Sequence, residues 1–134
     1  GSDGCLERYA GRLAMTRRAG LPPSTTLAEL DRLAEAGHEP SREAVDLAAE
    51  ALGVVLAGAV NLLDVPMIVL GGEIGDLADR IAPRVQTRLR ARVMAADWMP
   101  LEVVRDADDV AGASGGALLH LARVVSDPAQ HLAV

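Results

Sequence analysis

With 134 residues, the chain is long enough for one domain with a real hydrophobic core. Half of its residues are hydrophobic and 24% are charged, a balance that excludes a disordered chain. A net charge of −6, one Trp (Trp98), one Tyr (Tyr9) and no Phe make this segment a poor grip for DNA or RNA, since it lacks both a basic surface and a platform for stacking bases.

Cys5 is the only cysteine, so no internal disulfide forms, and the N-terminus has no secretory apolar region. The longest uncharged apolar run, ALGVVLAGAVNLL between Glu50 and Asp64, falls short of the ~18 residues that read as a membrane span. A soluble, cytoplasmic protein with no membrane partner is the expectation.

From Cys5 to about Arg18 the pattern is helical, with Leu6, Tyr9, Leu13 and Ala14 on one face. Arg17 and Arg18 end it, where cations suit the negative end of a helix dipole. GLPPSTT reads as a loop. Thr26 and Glu29 then form a capping box before a short helix that Gly37 closes.

Ser41 is expected to start the longest helix, which runs to about Leu63. Its second half is apolar nearly all round, which predicts burial of that end. Gly53 and Gly58 cost helix propensity and point to close packing against a neighbour.

VPMIVLGG follows, too short for a helix and rich in branched residues, and reads as a buried strand ended by Gly71 and Gly72. The next helix is expected near Asp76, with Leu77, Ile81, Val85, Leu89 and Val93 spaced along one stripe. Pro83 predicts a break or a fresh first turn. LEVVR is a second short strand, and GASGGALLHLARVV begins the last helix.

Strand, helix, strand is a unit that implies a parallel crossover. Two strands do not make a stable sheet by themselves. The expectation is a lobe fragment over residues 1–134 whose sheet partners lie elsewhere in a longer protein. The fold class is α/β and helix-rich, with a short parallel sheet and packed helices.

Gly71 and Gly72 stand at the carboxyl edge of a strand, where α/β sheets hold ligands. Their spacing matches neither the Rossmann nor the P-loop pattern, so a tight turn and a ligand contact both stay open. Gly112, Gly115 and Gly116 read either as a second backbone cradle or as small residues for close helix packing. Asp106, Asp108 and Asp109 lack EF-hand spacing and read as a solvated loop. His38 lies in a loop, His131 near the end, and His120 among leucines reads as a core histidine. Taken singly, Cys5 reads as a small hydrophobe and Glu7 as a solvated carboxylate at a helix start.

Three blocks read together, GCLE, NLLDVPMIVLGGEIG and GASGGALLHLARVV, give a sharper picture. In this order the chain resembles the C-terminal part of the ROK family, which groups bacterial sugar kinases and sugar-responsive repressors on an actin/hexokinase-like fold. The family motif C-x-C-G-x-x-G-C-x-E is matched in its second half by Gly1, Gly4, Cys5 and Glu7. The resemblance implies that Cys5 is one ligand of a structural zinc and that Glu7 contacts a sugar hydroxyl. Zinc takes about four ligands, so the others are expected ahead of Gly1.

By the same resemblance, Gly71 and Gly72 correspond to the strand-ending glycines that border the nucleotide in the kinases. Gly112 and Gly116 correspond to the Gly/Ala-rich start of the last helix, although Gly115-Gly116-Ala117 departs from the usual Gly-Ala-Ala. ATP and Mg are implied only if the protein is a kinase. The block carrying the family's catalytic aspartate has no counterpart here, so no catalytic residue is expected.

The resemblance implies the sugar-sensing and oligomerisation part of a transcriptional regulator, because the tail VVSDPAQHLAV is similar to regulator ends. The alternative is the nucleotide-side lobe of an ATP-dependent sugar kinase, inactive as this segment; a scaffold serving only subunit contacts is a third. Expected partners are a small sugar or sugar phosphate, DNA through a separate N-terminal domain, and further copies in a homodimer or homotetramer.

Overall fold

In a computed structural model, residues 4–106 and 111–127 are described. Gly1 to Asp3 of the zinc-type motif, Asp108 and Asp109, His131 and the tail from residue 128 lie outside the described residues.

The N-terminal helical segment is two helices, α1 (Glu7–Ala10) and α2 (Arg12–Arg18), rather than one. The break is at Gly11, whose backbone is extended (φ −72°, ψ 141°). A Cβ there would lie 2.5 Å from the Glu7 carbonyl oxygen and collide with the Glu7 carboxylate. Gly11 is therefore required where the Glu7 side chain folds back on the chain.

The Thr26 capping box at the start of α3 (Leu27–Glu35) is present. Glu29 N–H donates to Thr26 Oγ1 at 3.1 Å, and Thr26 N–H donates to Glu29 Oε2 at 3.5 Å. α4 (Glu39–Leu63) starts two residues before Ser41, because Pro40 fits the first turn of a helix.

α4 is the spine of the fold, with α1, α2, α3 and α5 (Ala78–Arg92) packed on it. By length and composition alone it is also apolar enough to cross a membrane. Its buried face carries Ala44, Val45, Ala48, Ala49, Leu52, Ala57 and Val60 into the core.

Burial does not follow the sequence reading at the end of α4. Val54, Val55, Leu62 and Leu63 are exposed, Leu62 by 83%. Neighbouring elements cover one side of α4 and leave the other bare, so an all-round apolar pattern marks more than this chain itself buries. Gly53 does lie in a tight contact, since a Cβ there would be 2.5 Å from Arg88 Cβ. Gly58 does not: a Cβ there meets open space.

The two expected strands form. β1 (Met67–Leu70) and β2 (Glu102–Arg105) pair in parallel, with Met67 opposite Glu102 and Leu70 opposite Arg105. β1 is not buried on both faces, however; Met67 and Val69 are exposed while Leu70 is buried.

Between the strands, Gly72–Leu77 is a 3-10 helix and α5 follows from Ala78. The expected stripe is borne out, with Leu77, Ile81, Val85, Leu89 and Val93 all buried. Pro83 neither breaks nor restarts α5. It sits early in the helix on an exposed face, so the single missing N–H donor costs one bond and the ring crowds only solvent-side backbone.

Two carboxylates of α4, Asp46 and Glu50, pair with Arg84 and Arg88 of α5, the first at 3.1 Å. Residue numbers rise together along both helices, so α4 and α5 run in the same direction. Asn61 closes the far end by donating to the Arg92 carbonyl at 3.1 Å and accepting from Met94 N–H at 2.9 Å.

α6 (Ala111–Ser126) forms as expected but presents Leu118, Leu119, Leu121 and Val125 to solvent. His120 is likewise exposed, not a core histidine, because the leucines around it line an uncovered helix and not an interior.

Candidate functional site

α1 starts at Glu7, which is exposed, and the half-buried Cys5 sits just before it. The Cys5 carbonyl accepts from Arg8 N–H at 3.0 Å, so the cysteine is held by the first turn of α1. Among the described residues, no group of three or more His, Cys, Asp or Glu side chains is gathered as a metal site. One thiolate does not hold a zinc ion, so no zinc chemistry follows from these residues alone.

Gly72 adopts φ +59°, a left-handed conformation that favours glycine. Gly71 is extended and tightly approached, since a Cβ there would lie 3.2 Å from Asp106 Oδ2. Asp106 stands just past β2, and its N–H donates to the Leu70 carbonyl at 2.9 Å. Both glycines thus have a local reason: one makes the turn, the other admits the Asp106 carboxylate.

Gly116 lies in α6 and is exposed, and an added Cβ at Gly115 or Gly116 would meet nothing within 4 Å. Close helix packing does not explain these two. Gly112 belongs to the first turn of the same helix.

An ion pair ties α2 to the turn that follows β1. Arg12, the first residue of α2, has its Nε 3.5 Å from Glu73 Oε1, and Glu73 follows Gly72 directly. Arg12 Nη1 also donates to the carbonyl oxygens of Pro23 at 2.5 Å and Thr25 at 3.3 Å. One guanidinium therefore joins the start of α2, the loop before α3 and the turn that ends β1.

Sequence reasoning missed Arg12, and it also missed a basic hollow lined by Arg8, Tyr9, Ala14, Arg17 and Arg18. The available signal was Gly11 inside a helical pattern; a chain bent there places Arg8 near the last turn of α2.

A family model described as the ROK family matches residues 1–123. No curated protein and no solved structure matches the chain.

Proposed function

Because this chain belongs to the ROK family, whose fold is actin/hexokinase-like, we propose that it forms the sugar-sensing and oligomerisation part of a transcriptional regulator. The observation that carries this choice is the contact between Gly71 and Asp106. In a kinase, the strand-ending glycines leave room for a nucleotide. Here an acidic side chain occupies the approach to Gly71, and a carboxylate there repels phosphate oxygens.

Glu7 is the sugar contact under this reading. A carboxylate accepts hydrogen bonds from sugar hydroxyls, and these charge-assisted bonds are the stronger kind. A sugar held there would act by shifting one part of the protein against another. Such a shift requires different sugar affinities in the two arrangements.

Cys5 contributes one thiolate to a structural zinc centre whose other ligands come from outside the described residues. DNA is bound by a separate domain of the whole protein. The bare apolar faces of α6 and of the end of α4 support the oligomerisation role, because contiguous exposed apolar surface marks a contact region.

The test uses the full-length protein, measuring sugar-dependent ATP turnover and sugar-dependent DNA binding side by side. DNA binding that responds to sugar, without turnover, is the expected result. Turnover without DNA binding would assign the chain to an ATP-dependent sugar kinase instead, with Gly71, Gly72, Gly112 and Gly116 beside the nucleotide and Mg.

A further inference from the structure

We propose that Gly11 is a positioning residue for Glu7. It leaves room for the Glu7 side chain to lie back on the chain at the α1–α2 break, and so sets where the carboxylate meets a sugar. The proposal rests on the reading of Glu7 as the sugar contact and adds what holds that contact in place.

The backbone of Gly11 does not by itself call for glycine. Its φ of −72° and ψ of 141° are extended values that any residue adopts. The space around it does call for glycine. A Cβ there would lie 2.5 Å from both the Glu7 carbonyl oxygen and Glu7 Cδ, and would overlap Oε1. Comfortable contacts between carbon atoms begin only at about 3.5 Å. Glu7 takes the space that a side chain at position 11 needs.

Gly11 is also held from both sides. Its N–H donates to the Glu7 carbonyl at 3.1 Å and closes α1, while its own carbonyl accepts from Ala14 and Met15 N–H, each at 3.0 Å, and starts α2. Both helices pack on α4. A methyl at position 11 therefore has two ways out. It pushes the Glu7 side chain off the break, or it takes a helical ψ and joins α1 to α2, which lifts α1 from α4. Either one moves the carboxylate.

The carboxylate has no polar partner of its own among the described residues. Glu7 is exposed, and its side chain makes no hydrogen bond or ion pair there. Its acceptor oxygens are open to the hydroxyl groups of a ligand, and the contact at Gly11 limits its rotamers. Ordering a side chain before binding is worth up to about tenfold in affinity.

The experiment titrates glucose, N-acetylglucosamine and xylose calorimetrically into the full-length protein, then carries the sugar that binds best into the variants. Gly11→Ala is expected to weaken that sugar by about tenfold, approaching the loss in Glu7→Gln. Gly53→Ala, where a methyl meets Arg88 Cβ, costs stability in the same way and should keep the native affinity. Glu7→Gln keeps the shape of the side chain and one acceptor oxygen. Adding Gly11→Ala to it should lower the melting temperature as before, yet cost no more than about twofold in affinity, because residues in contact do not act additively.

Full affinity in folded Gly11→Ala, beside a loss in Glu7→Gln, overturns this proposal and leaves the Glu7 reading standing. An equal loss in Gly53→Ala does the same, as does a further loss of about tenfold in the double variant. A Gly11→Ala protein that thermal melting shows to be unfolded overturns it too, since glycine there then serves the fold as a whole. Full affinity in Glu7→Gln, or no binding of any of the three sugars by the native protein, overturns the Glu7 reading and the proposal with it.

Discussion

Arg12 and Glu73 stand 3.5 Å apart at Nε and Oε1, and through them the start of α2 is fastened to the turn after β1. The pair is unequal. The Arg12 side chain is 29% exposed and that of Glu73 68%, and only Arg12 makes further bonds, to two loop carbonyls. Glu73→Gln should therefore cost under about 1 kcal/mol, as exposed ion pairs do. Arg12→Ala should cost about 1.5–3 kcal/mol, since it also leaves the Pro23 and Thr25 carbonyls without their donor. Urea unfolding of both variants checks this; equal losses would mean that the loop bonds contribute nothing.

Gly11→Ala should damage the sugar contact proposed at Glu7 without removing its carboxylate. The new methyl collides with the Glu7 carboxylate and backbone, so the carboxylate must move. Overpacking of this kind costs about 1–3 kcal/mol. Sugar titration should show affinity lost to a degree approaching that of Glu7→Gln, while Gly20→Ala, at a position with φ +70° and open space, should affect stability alone.

The two mid-helix glycines of α4 should respond with opposite signs. Gly53→Ala drives a methyl into Arg88 Cβ and should destabilise by about 1–3 kcal/mol. Gly58→Ala faces open space on an exposed turn and should stabilise by about 0.5–1 kcal/mol, the difference in helix propensity. Thermal melts of the two variants decide it.

This contrast also marks what the sequence could reveal. Spacing exposed the α5 stripe from Leu77 to Val93, the Thr26–Glu29 cap and the parallel β1–β2 pair, because each is written in local periodicity or a short motif. Apolar pattern alone did not separate Gly53 from Gly58, nor buried Val60 from exposed Leu62, since burial depends on which side a neighbour covers. His120 misled for the same reason: leucines beside it in sequence lie on a bare face of α6.

The candidate site was legible in part. Glu7, Cys5, Gly71 and Gly72 stood out through a resemblance of blocks, and the match over residues 1–123 agrees with that family. The Arg12–Glu73 link was not legible, because it spans distant segments and depends on the bend at Gly11. The Asp106 contact at Gly71 was hidden likewise, as it arises only when β2 pairs with β1.

Gly72→Ala should cost about 1–2 kcal/mol, the penalty for a side chain in the left-handed region. Gly71→Ala should instead displace Asp106. Neither change is expected to alter sugar-dependent DNA binding by more than the loss of stability explains. Anisotropy titrations on folded variants measure that directly.

The most direct test of a sugar-sensing role is the DNA affinity of the full-length protein, measured with and without sugar on a sequence it selects from a random pool. A sugar-induced change of about 5- to 150-fold, the usual range of coupling between sites, is expected for the native protein and should vanish in Glu7→Gln. The same affinity with and without every sugar tried, or a change that Glu7→Gln retains in full, would contradict it.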